Sequence, residues 1–419
     1  MAWPPGRVVL ACGLALSACV AYWASQGDQT WDVRLHLAVY AVAFAAYVIA
    51  ARAAESLGGR ALAAALLAAV AWRAVLVAAP PLLSDDVYRA VWEGRIQNHG
   101  GNPYEWMDRP EADRWISLRD GVWEGVNHKF YTAIYPPLWQ LTARLVARAS
   151  DTVWAMKAFL VGCELLCLPL LAHGLERRGL PPGRLLILAW SPLALVEVAG
   201  SGHNEPFGAL FVLAGLVLIE RGSGLGAAVA AALGAQAKLL PGLIALAWAR
   251  RFRVWHVVVA AVVAAALVVP YASAGHGMVD SLTKFGRYWR FNETAFAVLA
   301  AVAPTYDLAL GASTVLLALV AVSLGVAGVA PAPAALGVVA ASLVLSPNVL
   351  PWYALWLVPL LVLRPEPGLL LFTGTVELAY LVYPVWLSGE QWHLGWDVRA
   401  VEYLPCLAVT LWSWRRRRG

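Results

Sequence analysis

The sequence predicts an all-α, polytopic membrane protein of about 12–14 helical spans, folded as a single domain over residues 1–419. Three observations carry this reading. Of the 419 residues 61% are hydrophobic, only 14% are charged, and the apolar residues gather into long uninterrupted runs. A soluble domain carries about 25% charged residues, and a chain of this size still presents a large water-facing surface. The composition therefore excludes a soluble enzyme, a nucleic-acid-binding module and a disordered chain. The 21 Trp agree, because indoles collect at the headgroup level of a bilayer.

The runs follow in order. A bilayer core of about 30 Å takes roughly 20 helical residues. Such stretches lie near residues 8–25, 35–53, 61–79, 152–173, 183–200, 205–221, 254–271, 306–327, 367–387 and 398–414. Two further stretches, 224–250 and 332–363, are split by Pro241 and by Pro347 and Pro351, and each is expected to make two helices. The first run resembles a signal peptide after Arg7, with Leu16-Ser17-Ala18-Cys19 as a cleavage box. Followed at once by more spans, it is expected to be retained as an anchor. The five cysteines all fall in apolar runs and none forms a CxxC, which argues against zinc.

Basic clusters orient the spans. Arg52 and Arg60, Arg177-Arg178 with Arg184, Arg250-Arg251-Arg253, and Arg415–Arg418 read as cytoplasmic. Both termini are then cytoplasmic, and residues 80–133, Ser201–Glu205, 273–294 and Ser388–Asp397 lie on the outer face. This alternation holds if the segment from Tyr135-Pro136-Pro137 to Ala149 lies in the interface, as Arg144 and Arg148 suit.

Residues 80–133 hold nine acids and six bases, Asp108, Arg109, Glu111, Asp113 and Arg114 among them. They also hold Tyr88, Trp92, Tyr104, Trp106, Trp115, Trp123, Phe130 and Tyr131. So aromatic a loop is an ordered surface platform rather than a disordered one.

Within it, Ser84-Asp85-Asp86 follows a span directly. Ser84 can cap a helix with both acids in its first turn; alternatively, an acid pair fixed at the membrane rim serves as a general base. The polar knot His203-Asn204-Glu205 between two spans is costly near lipid unless it binds something. Lys238, within an apolar stretch, either snorkels or faces a phosphate. Lys284-Phe285-Gly286-Arg287-Tyr288-Trp289-Arg290-Phe291-Asn292 interleaves cations with rings. That pattern suits either a headgroup anchor or a site for a phosphate leaving group. Glu164 and Glu377, acids deep within predicted spans, support a rival reading as a secondary transporter or flippase.

Taken together, S-D-D-V-Y-R-x-x-W-E-G-R, G-G-N-P-Y, Y-P-P, W-S-P-L-x-x-x-E-x-x-G-S-G-H-N-E, the Lys238/Pro241 pair, W-R-F-N-E and S-P-N-x-x-P-W-Y resemble the GT-C-fold glycosyltransferases. The chain is most similar to the bacterial polyprenol-phosphate-mannose-dependent α-mannosyltransferases, over residues 84 to about 405. The resemblance implies inverting transfer of a hexose, mannose first, from a polyprenyl phosphate to an acceptor hydroxyl on a glycan, glycolipid or protein. It places the reaction on the extracytoplasmic face of a bacterial plasma membrane. It makes Asp85 the base, with Asp86 orienting either the acceptor or that base. Arg89, Arg95, Tyr135, His203, Asn204, Glu205 and Asn292 become substrate-contacting residues, and Lys238, Arg287 or Arg290 the holder of the leaving phosphate. The family's His-Asn-Asp is His203-Asn204-Glu205 here, one methylene longer. No cofactor or nucleic acid is implied. A metal is not demanded, since phosphate departs readily and no compact ligand cluster is present.

Overall fold

The computed structural model describes residues 3–27, 30–105 and 115–418. Trp106, Asp108, Arg109, Glu111, Asp113 and Arg114 of the charged loop lie outside the described residues. Among the described residues the chain is helical with no strand, as a polytopic GT-C-like fold requires.

The order starts with three long apolar helices, α1 (Pro5–Gln26), α2 (Val33–Ala54) and α3 (Gly59–Ala78). A polar segment follows with α4 (Asp86–Asn98), α5 (Gly121–Gly125) and α6 (Pro137–Ala149). Next come α7 (Val153–Arg177), the short α8 (Leu186–Ala189) and α9 (Pro192–Ala194), then α10 (Glu205–Glu220), α11 (Gly224–Ala237) and α12 (Leu240–Ala247). The second half runs through α13 (Val254–Val268), α14 (Gly277–Tyr288), α15 (Ala295–Val302), α16 (Tyr306–Val326) and α17 (Pro331–Leu345). It ends with α18 (Leu357–Leu363), α19 (Pro367–Thr375), α20 (Val382–Leu387) and α21 (Trp396–Arg418).

Among the described residues seven helices are long and apolar enough to cross a membrane, eight if the pair Pro182–Ala189 and Pro192–Gly200, bent by 45°, counts as one. The remaining apolar runs of the sequence form shorter helices, such as α11, α17 and Pro351–Leu363. Proline explains much of the shortening, because it removes an N–H and excludes the carbonyl four residues earlier. At Pro192 that carbonyl belongs to Leu188. Arg73 of α3 reaches it at 3.4 Å and Ala189 O at 2.7 Å, while pairing with Glu164 of α7 at 2.5 Å. The break is thus closed by a buried ion pair, which gives Glu164 a structural place.

The core is continuous from α1 to α21, but the outer faces are apolar too. Val258 and Val262 of α13 and Val315 and Leu319 of α16 stand exposed, the inversion expected when lipid is the solvent. Arginine-bearing turns gather at one end of the bundle, where Arg184 meets Glu55 at 2.9 Å, Arg178 meets Glu220, and Arg417 meets Glu366 at 2.7 Å. The loops expected to share the other face do meet, around one cavity.

The segment Pro137–Ala149 forms an amphipathic helix. At 13 residues α6 is about 20 Å long, too short to cross. It buries Trp139, Gln140, Ala143 and Ala147 and leaves Arg144 and Arg148 exposed. It crosses α4 at Gly94, where a Cβ would lie 2.3 Å from Ala143 O. Only glycine permits that approach.

Candidate active site

A cavity of about 1440 Å³ opens beneath these loops. Its head is polar, formed by the start of α4, residues 127–135, the Gly202–Asn204 turn and Lys238. Its flank is apolar, formed by Leu240 and Leu243 of α12, Leu310 and Leu317 of α16, and Leu343 of α17.

Asp85 and Asp86 sit at the head. Ser84 takes the helix-capping role, its Oγ accepting from Asp86 N at 3.3 Å, while Asp85 caps nothing with its side chain. Both carboxylates instead accept from the one amide nitrogen of Asn127, at 2.6 Å for Asp85 and 2.7 Å for Asp86. Asp85 is open to water within the cavity yet walled by protein on most sides. Burial and then the neighbouring Asp86 charge push its carboxyl up to about 6, against the lowering effect of the Asn127 hydrogen bond.

Arg89 sets the loop that delivers Asn127. It donates to the carbonyls of Asn127 at 2.5 Å, His128 at 2.9 Å and Tyr131 at 3.0 Å, and to Asn127 Oδ1 at 3.4 Å. That last bond fixes which end of the amide faces the aspartates. It also holds His128 at φ 41°, a left-handed conformation that a non-glycine residue adopts only when its surroundings impose it.

The polar knot closes the second wall. A widened π-helical turn at Leu195–Gly200, the kind of bulge that recurs at functional sites, sends Ser201 N to Val196 O at 2.8 Å. Gly202 follows at φ +84°, and a Cβ there would meet Val87 at 2.8 Å. His203 then stacks on Trp352, centroids 3.8 Å apart and rings 15° from parallel. Its Nδ1 faces Asp86 Oδ2 at 3.9 Å and its Nε2 faces Glu197 Oε2 at 3.3 Å. Lys238, in the break between α11 and α12, donates to Asn204 Oδ1 at 3.1 Å and pairs with Glu205. The rings of Tyr135 and Tyr353 lie 5.2 and 5.5 Å from its Nζ. The Glu205 carboxyl is thus occupied by Lys238, and the longer side chain still reaches it.

Asp85, Asp86, Arg89, Tyr135, His203, Asn204, Lys238 and Arg290 line the cavity, with Glu205 directly behind. Three sequence candidates stand elsewhere. Arg95 points away, bridging Asp120 at 2.8 Å and Asp151 at 2.7 Å, and so ties the 115–125 segment to the start of α7. Arg287 pairs outward with Asp307 at 2.5 Å. Asn292, buried at φ 53°, donates to both oxygens of Glu402 at 2.8 and 3.0 Å and anchors α21. Each sits in a motif with site residues, but helical and turn geometry turns it to the opposite side.

Asn127 carries no sequence signal, since only the fold brings it to Asp85. Trp352 and Glu197 fall inside the quoted motifs, but nothing in their spacing shows that they meet His203. Neither curated proteins nor solved structures yield a match to this chain. A family model does: the alpha-(1->6)-mannopyranosyltransferase N-terminal domain matches residues 6–256, and so spans Asp85, Asn127, His203 and Lys238. With more than half of its length covered, the chain belongs to this alpha-mannosyltransferase family.

Proposed function

We propose that the protein transfers mannose from a polyprenyl-phosphate donor to an acceptor hydroxyl by a single inverting displacement. The observation that carries this reading is the paired aspartates, held by one amide at the head of a cavity whose flank is apolar. Asp85 takes the hydroxyl proton as the acceptor oxygen bonds the anomeric carbon. The bond from that carbon to the phosphate oxygen breaks, and its electron pair leaves with the lipid phosphate. A base with its carboxyl near 6 is ionised at neutral pH and still basic enough to accept a proton.

Arg290 suits the leaving phosphate. It lines the cavity next to Tyr306, its guanidinium 5.5 Å from that ring at the start of α16, so the α16 flank descends from it as a path for the prenyl chain. Its partner Glu293 is shared with Arg399, at 2.8 and 3.8 Å. The arginine-rich turns at the opposite end support a cytoplasmic placement of that end, which turns the cavity to the extracytoplasmic face of a bacterial plasma membrane. The acceptor is then a glycan, glycolipid or protein of the cell envelope. No residue role in this scheme calls for a metal or cofactor.

The test is Asp85→Asn in isolated membranes, with polyprenyl-phosphate mannose and an α-1,6-linked oligomannoside. Transfer should fall by about 100-fold to 10,000-fold, the range for a lost general base, with folding intact. Undiminished transfer would refute the base.

A further inference from the structure

Behind His203 lies a row of buried polar groups that the transfer scheme does not use. Glu197 is fully buried; its Oε1 accepts from Tyr380 O–H at 2.7 Å, and its Oε2 faces His203 Nε2. Its carboxyl also meets that of Glu377, whose Oε2 lies 3.2 Å from His36 Nε2. The other groups around the row are Lys238 and Glu205 beside His203 and Tyr40 beside the two glutamates. Among the described residues no Lys or Arg pairs with Glu197, and two carboxyls facing each other without such a partner cannot both be ionised. The imidazole has to match this wall. The Asp86 carboxylate is partly open to the cavity and faces Nδ1, so Nδ1–H of His203 is the favourable group to turn toward it. That leaves a lone pair on Nε2, and among the described residues the group that faces it is Glu197 Oε2, which can supply the hydrogen if it carries one.

We propose that Glu197 is a positioning residue that acts as a neutral acid: its Oε2–H donates to His203 Nε2, which fixes the tautomer whose Nδ1–H supports the Asp86 carboxylate. A partner carboxyl sets the tautomer of a histidine in many sites, and the wrong tautomer is costly even where the geometry survives. Here the roles are reversed, since the buried carboxyl supplies the hydrogen. Trp352, stacked on the ring, keeps it in plane, and Tyr380 keeps the Glu197 carboxyl from rotating.

The inference rests on the reading of Asp85 and Asp86 as the reacting end, and two substitutions of Glu197 separate it from that reading. Glu197→Gln keeps a neutral donor of the same shape, so it should hold transfer within about threefold of the parent chain, with the pH profile unchanged. Glu197→Leu removes the donor. It should lower kcat about tenfold or more, leave the donor KM within about twofold, and move the acidic limb upward by about one pH unit as Asp86 loses its support. A Gln variant as impaired as the Leu variant overturns the proposal, because the charge of Glu197 would then be what matters. A Leu variant with the parent kcat and limb overturns it as well. Infrared difference spectra of the purified protein supply a readout that needs neither activity nor a folded Leu variant. At pH 7 a protonated-carboxyl C=O band should be present in the parent chain and lost in Glu197→Gln, and a parent spectrum without that band refutes the proposal. Undiminished transfer in Asp85→Asn, with both Glu197 variants behaving as expected, would instead count against the aspartate reading alone.

Discussion

Asn127 has two amide hydrogens and spends one on each aspartate, at 2.6 and 2.7 Å, while Arg89 holds its oxygen. This gives the acid pair a division of labour. Two adjacent carboxylates repel, which raises the affinity of one for a proton, and the shared donor offsets part of that repulsion. The Asp85 carboxyl near 6 is the balance of burial and Asp86 pushing up against Asn127 pulling down. The base form is the ionised one, so transfer should rise with pH through about 6 and level off above it. In Asn127→Ala the lowering contribution is gone, and the acidic limb of kcat should move up by about one unit. The measurement is a pH–rate profile between pH 4.5 and about 8.5, buffered at constant ionic strength. A limb that stays in place, or moves down, would show that the amide does not tune the base. At this scale the sequence displays Asp85 plainly, because an acid pair after a span has few other uses. It hides Asn127, 42 residues away, because a loop contact has no periodicity to betray it. It also suggests too much for Arg95 and Asn292, whose motif neighbours face the cavity while they face the scaffold.

The platform stands on one crossing. α4 carries Asp86 at its first turn and Arg89 at its second, and it is seated on α6 through Gly94. A methyl group at that position would lie 2.3 Å from Ala143 O and 2.9 Å from Ala147 Cβ. Neither atom can yield, since one is helix backbone and the other is packed beneath it. Gly94→Ala should therefore push the helices apart at a cost of about 1–3 kcal/mol. It should lower the midpoint of thermal unfolding in detergent and reduce transfer at least several-fold by displacing Asp86. The amphipathic pattern of α6, with Arg144 and Arg148 on its open side, announces a surface helix in advance. The interrupted spans are less legible. Run length alone does not reveal that the 183–200 stretch bends by 45° and widens into the turn that presents His203, since those features follow from Pro192 and from the Arg73 and Glu164 pair that meets it.

For the whole molecule, the arrangement of charge and apolar surface bears on how the proposed lipid-linked donor would enter. The polar groups concentrate at the head of the cavity, and the wall below it is leucine-lined along α12, α16 and α17. The outer faces of α13 and α16 are exposed and apolar, so that wall borders on lipid rather than on water. With the proposed polyprenyl-phosphate donor, the prenyl chain would leave the bilayer sideways with its phosphate at Arg290, and would add binding energy of about 0.8 kcal/mol for each methylene it buries. Leu317, half-buried on α16 and facing the cavity, stands about three turns along the helix from Tyr306. Replacing it by Trp should fill the groove without touching the aspartates. Displacing about two methylenes of the chain should raise KM for a long polyprenyl-phosphate mannose roughly tenfold. The same variant should use a two-isoprene donor, too short to reach past the obstruction, with unchanged KM and kcat. Measuring both donors on one preparation separates a blocked groove from a damaged head, because damage to the head lowers kcat for each donor alike. Equal KM increases for the two donors would place the prenyl chain elsewhere and leave the leucine wall as packing alone.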